Sequence, residues 1–154
     1  LVPLSGGGLL SGIALAAKSL KPGIRVVGVS LETSSVMLES LKAGRPVEME
    51  ESATLADSLL GGIGQDNKYT LPLVRDYVDE HVTVGEDELR GAMHFAFTRH
   101  GLVIEGAAAA ALGALLSGRV EVRGCRVVMP FTGRNVEVER YLKVIAEEEK
   151  RHEA

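Results

Sequence analysis

Three consecutive glycines lie only five residues into the chain, between a short apolar segment and a helical pattern. Residues 1–4 are apolar, the glycines occupy positions 6–8, and residues 9–20 form a helical pattern of small and apolar side chains. Residues 24–31, IRVVGVSL, then form a β-branched run with the length of a buried strand. This order predicts a strand, a glycine turn, a helix and a second strand of a parallel sheet.

The rest of the chain continues the alternation of helical and strand patterns. It has no internal repeat, and no linker divides it, so residues 1–154 are predicted to form a single region of α/β class, a parallel sheet flanked by helices. Few strands can be named, so the chain either pairs with another chain or is the carboxy-terminal part of a domain that begins upstream. The further predicted helices are 34–44, a short one within 54–64, 69–81, 86–100, 105–116 and 138–154, and the further strands are 81–85 and 125–131.

Composition excludes several classes of function. The net charge of -4 and the scattered basic residues give no reason to expect nucleic-acid binding. No segment has the length and apolar character of a membrane span, and no signal peptide is visible at the start. Cys125 is the only cysteine, which excludes a disulfide within the chain and suits a cytoplasmic location.

The glycine run after Ser5 predicts a phosphate site. Glycines let the backbone approach an anion closely, and the first turn of the following helix adds free N–H groups and a partial positive charge. The pattern is neither a Walker loop nor the dinucleotide GxGxxG. The alternative is a tight turn that only joins the strand to the helix.

Two further motifs are predicted to face the same crevice, because ligands of open α/β sheets bind outside the carboxyl ends of the strands. Thr132 follows the apolar run 125–131, and its alternative role is that of a turn or cap residue. Glu105 precedes an alanine-rich helix and could simply complement the helix dipole. The glycine-rich stretch 58–67, SLLGGIGQDN, either shapes a substrate pocket or is a flexible connection.

Taken together, five blocks resemble the carboxy-terminal half of the pyridoxal-phosphate enzymes of the threonine/serine dehydratase and serine racemase family. In order, they are VPLSGGGLLSGIALAAKSLKPGIRVVGVSLE, TLADSLLGGIGQDNKYTLPLVRDYVDE, VTVGEDEL, LVIEGAAAAALGALLSG and VVMPFTGRNV. The resemblance implies the tryptophan-synthase-β type fold, also called fold type II, and pyridoxal 5'-phosphate as the cofactor. It also implies an enzyme of amino-acid metabolism that converts threonine, serine or a related hydroxy amino acid to a 2-keto acid and ammonia.

The resemblance also implies the roles of individual residues. Thr132 matches the serine of a Ser-Gly-Gly-Asn turn, which hydrogen-bonds the pyridine nitrogen, and Glu105 matches a glutamate near the cofactor ring. Arg134 replaces a glycine of that turn, so a positive φ at this position would be strained. The residues that match the loop whose amides hold the cofactor phosphate are Ser5, Gly6, Gly7, Gly8 and Leu9.

The Schiff-base lysine of the family has no counterpart in the chain. None of the lysines at positions 18, 21, 42 and 68 lies in a desolvated setting, so we expect the lysine upstream and the 154-residue chain to be inactive alone. The stretch 30–36 matches a cation site of some relatives, but Ser30 stands where the first acid is expected and Glu32 is predicted to be solvated, so no metal is predicted.

Several alternatives stay open on the sequence. A racemase of the same family would share every residue named above, and residues 29–59 resemble the hydroxyectoine-utilisation dehydratase branch. A different class of function is a non-catalytic phosphate-binding module. Relatives of this kind are usually dimers, so a homodimer is expected, with no nucleic acid or membrane among its partners.

Overall fold

A computed structural model describes residues 1–153, with side chains described up to residue 151. Ala154, the last residue of the predicted helix 138–154, lies outside the described residues. The strands are β1 (Val2–Pro3), β2 (Val27–Leu31) and β3 (Glu80–Val84). The helices are α1 (Gly8–Leu20), α2 (Val36–Ala43), α3 (Thr70–Tyr77), α4 (Glu86–His100), α5 (Gly106–Leu116) and α6 (Val138–Glu153), with a 3₁₀ turn at Asp57–Leu59.

The three strands form a parallel sheet in the order β1, β2, β3, which confirms the predicted α/β class. All five residues of the central strand β2 are buried, as its β-branched sequence predicts. Gly28 of β2 lies directly against α1. A Cβ at this position would be only 2.7 Å from Leu10 Cδ2. The helix α1 therefore packs unusually close to the sheet and brings its first turn to the end of β1.

The alanine-rich helix α5 lies in the middle of the core. Its residues from Gly106 to Ala114 are all buried, and several of its alanines pack with Val27, Val29 and Leu31 of β2. Other alanines of the same helix pack with α4 and α6. Small side chains on every side of α5 allow this close approach, which explains a helix with no polar face.

The predicted strand 125–131 is wrong. These residues have no regular structure, and Val128 is 75% exposed. Next to β1, the Leu1 amino group donates to the Val128 carbonyl oxygen of this segment at 3.0 Å. Successive donors of a strand toward one neighbour are two residues apart, and the next donor of β1 would be Pro3, which has no N–H. Pro3 therefore cannot donate the next ladder hydrogen bond on that side.

Three predicted helices are shorter than expected. The helix 69–81 spans only Thr70–Tyr77, and the strand β3 already begins at Glu80. The helix 34–44 begins at Val36 because Ser34 has a left-handed φ of 59°, outside the helical region. The helical pattern within 54–64 gives only the turn Asp57–Leu59, and two left-handed glycines follow it, Gly61 and Gly64. None of the described helices combines the length and the hydropathy that a membrane-spanning helix needs.

Candidate functional site

One cavity is lined by every residue that the sequence predicts for the site. It has a volume of about 270 Å³, close to the lower end of small-molecule pockets, which begin at about 300 Å³. It lies where the turn after β1, the start of α5 and the turn after residue 131 meet. The predicted residues on its wall are Ser5, Gly6, Gly7, Gly8, Leu9, Glu105 and Thr132.

Gly7 is the one residue of the glycine loop that must lack a side chain for the fold. Its φ is +85°, in the left-handed region, and a Cβ there would lie 2.8 Å from Met37 Cε and 3.0 Å from Val74 Cγ2. Gly6 and Gly8 are different, since a Cβ at either would meet nothing within 4 Å. Gly7 is thus required by packing, whereas its two neighbours leave open space on the wall of the cavity.

The first turn of α1 presents main-chain donors to this cavity. The Gly7 carbonyl accepts the first helical hydrogen bond, from Ser11 N at 2.8 Å, so the N–H groups of the residues between them have no acceptor within the helix. No side chain caps the helix, and its first turn contains no acidic residue. Free N–H groups and an uncompensated positive helix end together favour an anion.

The turn after residue 131 wraps around Glu105. Asn135 N donates to Glu105 Oε2 at 3.0 Å, and Glu105 N donates to the Gly133 carbonyl at 3.2 Å. A Cβ at Gly133 would lie only 2.2 Å from Glu105 Oε1, so the close approach requires glycine at this position. The expected strain at Arg134 does not occur, because among the described residues other than glycine only Ser34 has a positive φ.

Thr132 lies beside this carboxylate on the same cavity wall. Its side chain is exposed and its hydroxyl bonds to none of the described residues, so it is available to a ligand. The packing of the turn around Glu105 thus brings together two residues that are 27 positions apart in the chain.

The sequence analysis missed one wall of the cavity. Ser58 and Leu59 of the 3₁₀ turn line it, and the Ser5 hydroxyl donates to the carbonyl oxygen of Leu60 at 3.4 Å. The signal was the glycine-rich stretch 58–67, for which a pocket and a flexible connection were both open. The start of this stretch forms part of the pocket.

The glycine loop, Glu105 and Thr132 all lie within the part of the chain that matches a known family. The profile of the pyridoxal-phosphate dependent enzymes matches residues 1–133, which include the glycine loop, Glu105 and Thr132. The chain belongs to the family of pyridoxal-phosphate dependent enzymes. The fold class predicted from the resemblance is confirmed by solved structures that superpose on nearly the whole chain.

The relatives of this chain have names that describe similar reactions of amino acids. It is 37% identical over 146 residues to the catabolic L-threonine dehydratase of Escherichia coli, covering 94% of this chain and 44% of that protein. It is 38% identical over 149 residues to the L-threo-3-hydroxyaspartate ammonia-lyase of Saccharomyces cerevisiae, covering 96% and 45%. The structure of maize serine racemase superposes with a TM-score of 0.81 at 28% identity, covering 99% and 47%. The chain thus spans less than half the length of each of these relatives.

The residues present fit the cofactor of the family. The free N–H groups at the start of α1 suit a phosphate, and the open space at Gly6 and Gly8 leaves room for it. The unbonded hydroxyl of Thr132 can bond a ring nitrogen. No described lysine lines the cavity, and Lys18 instead pairs with Asp79 at 2.8 Å.

The stretch that matches the cation site of some relatives has a different arrangement here. Arg119 pairs with Glu32 at 2.8 Å and with Glu88 at 2.5 Å, so an arginine lies between the two carboxylates. The pKa of Glu88 is lowered chiefly by the hydrogen bond from Arg119 and further by the bond from Gly85 N. Among residues 1–153, no three His, Cys, Asp or Glu side chains lie close enough together to hold a metal ion.

Proposed function

We propose that this chain is the carboxy-terminal half of a pyridoxal-phosphate-dependent ammonia-lyase. Its substrate is threonine, serine or a related small hydroxy amino acid, and its products are a 2-keto acid and ammonia. The observation that carries the proposal is the single cavity that joins the glycine loop, Glu105 and Thr132. The names of the relatives supply the class of substrate, since one acts on L-threonine and another on L-threo-3-hydroxyaspartate.

Each residue of the cavity has a role that follows from its chemistry. The main-chain amides after Gly7 bind the cofactor phosphate, and the positive end of α1 adds to the attraction. Bound pyridoxal phosphate supplies an electron sink for the substrate Cα. Thr132 offers a neutral hydroxyl to the pyridine nitrogen, which leaves that nitrogen unprotonated and the sink milder than with an aspartate.

Glu105 has a fixed carboxylate, which would lie beside the ring of the bound cofactor. The N–H of Asn135 holds one oxygen of its carboxylate, and the backbone at Gly133 fits directly against the other. A carboxylate with one oxygen bonded to the main chain keeps its remaining lone pairs for a proton or a donor of the ligand.

The proposal includes an upstream half that carries the Schiff-base lysine, since none of the described lysines lines the cavity. It also includes a cytoplasmic location, which the single cysteine supports, and a homodimer as the assembly. The intact mass of the protein from its own source tests the first point. A mass near twice the 16.4 kDa of this chain supports an upstream half, and a mass of 16.4 kDa contradicts it.

Activity is tested on the full-length protein with L-threonine and L-serine. We expect visible absorbance from lysine-bound pyridoxal phosphate and release of keto acid and ammonia. Thr132→Val, which keeps the shape and removes the hydroxyl, should alter the absorbance and lower kcat, whereas Thr98→Val on the exposed face of α4 should change neither. Full-length protein without bound cofactor contradicts the proposal.

A racemase is the second candidate, because the structure of maize serine racemase superposes on 99% of the chain. The same assay separates the two activities when D-serine and pyruvate are measured together. D-serine as the main product would replace the lyase by a racemase. Phosphate binding by a protein that acts on neither amino acid would favour a non-catalytic module.

A further inference from the structure

The 3₁₀ turn at Asp57–Leu59 places Ser58 on the wall of the cavity. Ser58 lines the same cavity as Glu105 and Thr132, and it is the one residue of its turn with both an exposed side chain and a place on this cavity. Its neighbour Asp57 lies outside the cavity, on the wall of a second one that also includes Glu105. The serine therefore lies where a ligand beside Glu105 would meet it.

The segment that leads into this turn is anchored from two helices. The Glu86 carboxylate of α4 accepts hydrogen bonds from the Thr54 hydroxyl and, at 3.0 Å, from Leu55 N. Arg140 of α6 donates to the Thr54 carbonyl at 3.2 Å. These contacts hold the approach to the turn from both sides.

The start of α5 and the core add further contacts to the segment. A Cβ at Gly106 would lie 2.2 Å from the Leu55 carbonyl oxygen, so the backbone of the segment rests directly on α5. Leu59 at the end of the turn is buried. A turn with these contacts keeps its side chains in place without a ligand, which favours a binding role over a loose surface loop.

The hydrogen bond of Ser58 determines what it can offer. Its hydroxyl donates to Asp57 Oδ1 at 3.3 Å, so its proton is occupied by a carboxylate. A serine oxygen that has donated its proton still has lone pairs that accept. Toward the cavity Ser58 is therefore an acceptor, and it selects a ligand group that carries a proton.

A hydroxy amino acid has only two donor groups. The amino group reacts with the cofactor, and the carboxylate can only accept, so the side-chain hydroxyl is the donor that remains. We propose that Ser58 is a specificity-determining residue that accepts a hydrogen bond from the hydroxyl of the substrate. The inference rests on the proposed function, because it assumes that the substrate lies beside Glu105 in this cavity.

The test compares two substrates that differ in this donor. β-Chloro-L-alanine has a leaving group on the same carbon as L-serine but no hydroxyl proton. In the full-length enzyme, Ser58→Ala should lower the ratio of kcat/KM for L-serine to that for β-chloro-L-alanine about three- to tenfold, the effect of one hydrogen bond. Ser58→Thr keeps the hydroxyl and should retain the ratio, and Ser19→Ala on the exposed end of α1 serves as the control.

The outcomes distinguish a failure of the Ser58 inference from a failure of the proposed function. If the wild-type enzyme is active and Ser58→Ala leaves the ratio unchanged, Ser58 only caps its own turn and the inference is wrong. If Ser58→Ala lowers both values equally and also weakens binding of pyridoxal phosphate, Ser58 acts on the cofactor, which also overturns the inference. A full-length wild-type protein that turns over neither substrate contradicts the proposed function itself.

Discussion

Replacement of Gly7 by alanine separates the packing of the glycine loop from its binding role. The new Cβ would lie 2.8 Å from Met37 Cε, 3.0 Å from Val74 Cγ2 and 3.2 Å from Thr70 Cβ. Both Met37 and Val74 are buried, at 1% and 0% exposure, so neither can move aside into solvent. At the same time the residue must keep a φ of +85°, which a side chain disfavours.

The cost follows from these two effects. A left-handed conformation costs alanine about 1–2 kcal/mol, and overpacking of a core costs about 1–3 kcal/mol. Their sum is about 2–5 kcal/mol of unfolding free energy, which lowers the Tm of a protein of this size by about 4–20 °C. Because the clash involves α2 and α3 as well as α1, we expect the loss in the whole cooperative unit.

Thermal unfolding measured by circular dichroism checks this, with Gly6→Ala and Gly8→Ala as matched controls. A Cβ at either control position meets nothing within 4 Å, so their Tm should stay within about 2 °C of the wild type. Gly8→Ala should still weaken binding of pyridoxal phosphate, since the methyl group projects from a residue of the cavity wall. A Gly7→Ala protein with the same Tm as the two control variants would refute the reasoning.

Three further predictions concern packing and charge elsewhere in the chain. Gly106→Ala places a Cβ 2.2 Å from the Leu55 carbonyl oxygen and should lower the unfolding free energy by about 1–3 kcal/mol, measured by urea denaturation; wild-type stability would contradict it. Arg119→Met removes the cation that lowers the pKa of Glu88, so at pH 7 it should lower the urea midpoint, by a small amount because Arg119 is exposed. The folded pKa of Glu88 lies below the ordinary value of 4.5, so that stability is lost as the pH falls below 4.5, and the urea midpoints of variant and wild type should converge at more acidic pH; a constant difference would contradict the assignment. Burial lowers the pKa of His81, so the folded state binds fewer protons than the unfolded state, and stability should fall as the pH drops below 6.5. His81→Gln should flatten the urea midpoint between pH 7 and pH 5, and an unchanged slope would show that another group titrates.

Sequence patterns predicted the elements that have strong local signals. The helix 86–100 was predicted with both of its ends, because acidic residues fill its first turn and Gly101 ends it in the left-handed conformation. The buried run 24–31 gave the central strand, trimmed to Val27–Leu31. The cavity was also predictable, because the carboxyl ends of parallel strands and the turns that follow them face one crevice.

Features that depend on contacts between distant residues were not predictable in the same way. The apolar run 125–131 has the composition of a strand, but it lies beside β1, where Pro3 removes the donor that a ladder would need. The Ser58 wall depends on Glu86 and Arg140, which are far from it in the sequence and give no local signal. Local periodicity reports which face a residue prefers, and it carries no information on such pairings.

The site tolerates departures from the family pattern because it is built largely from the main chain. Ser5 and Arg134 stand where glycines are expected, yet neither has a positive φ, so neither replacement strains the turn. Two glycines of the site leave no room for a side chain. A Cβ at Gly7 would overlap with Met37, and a Cβ at Gly133 would overlap with Glu105. Since backbone amides and close backbone contacts define the cavity, its shape can persist while the side chains around it vary.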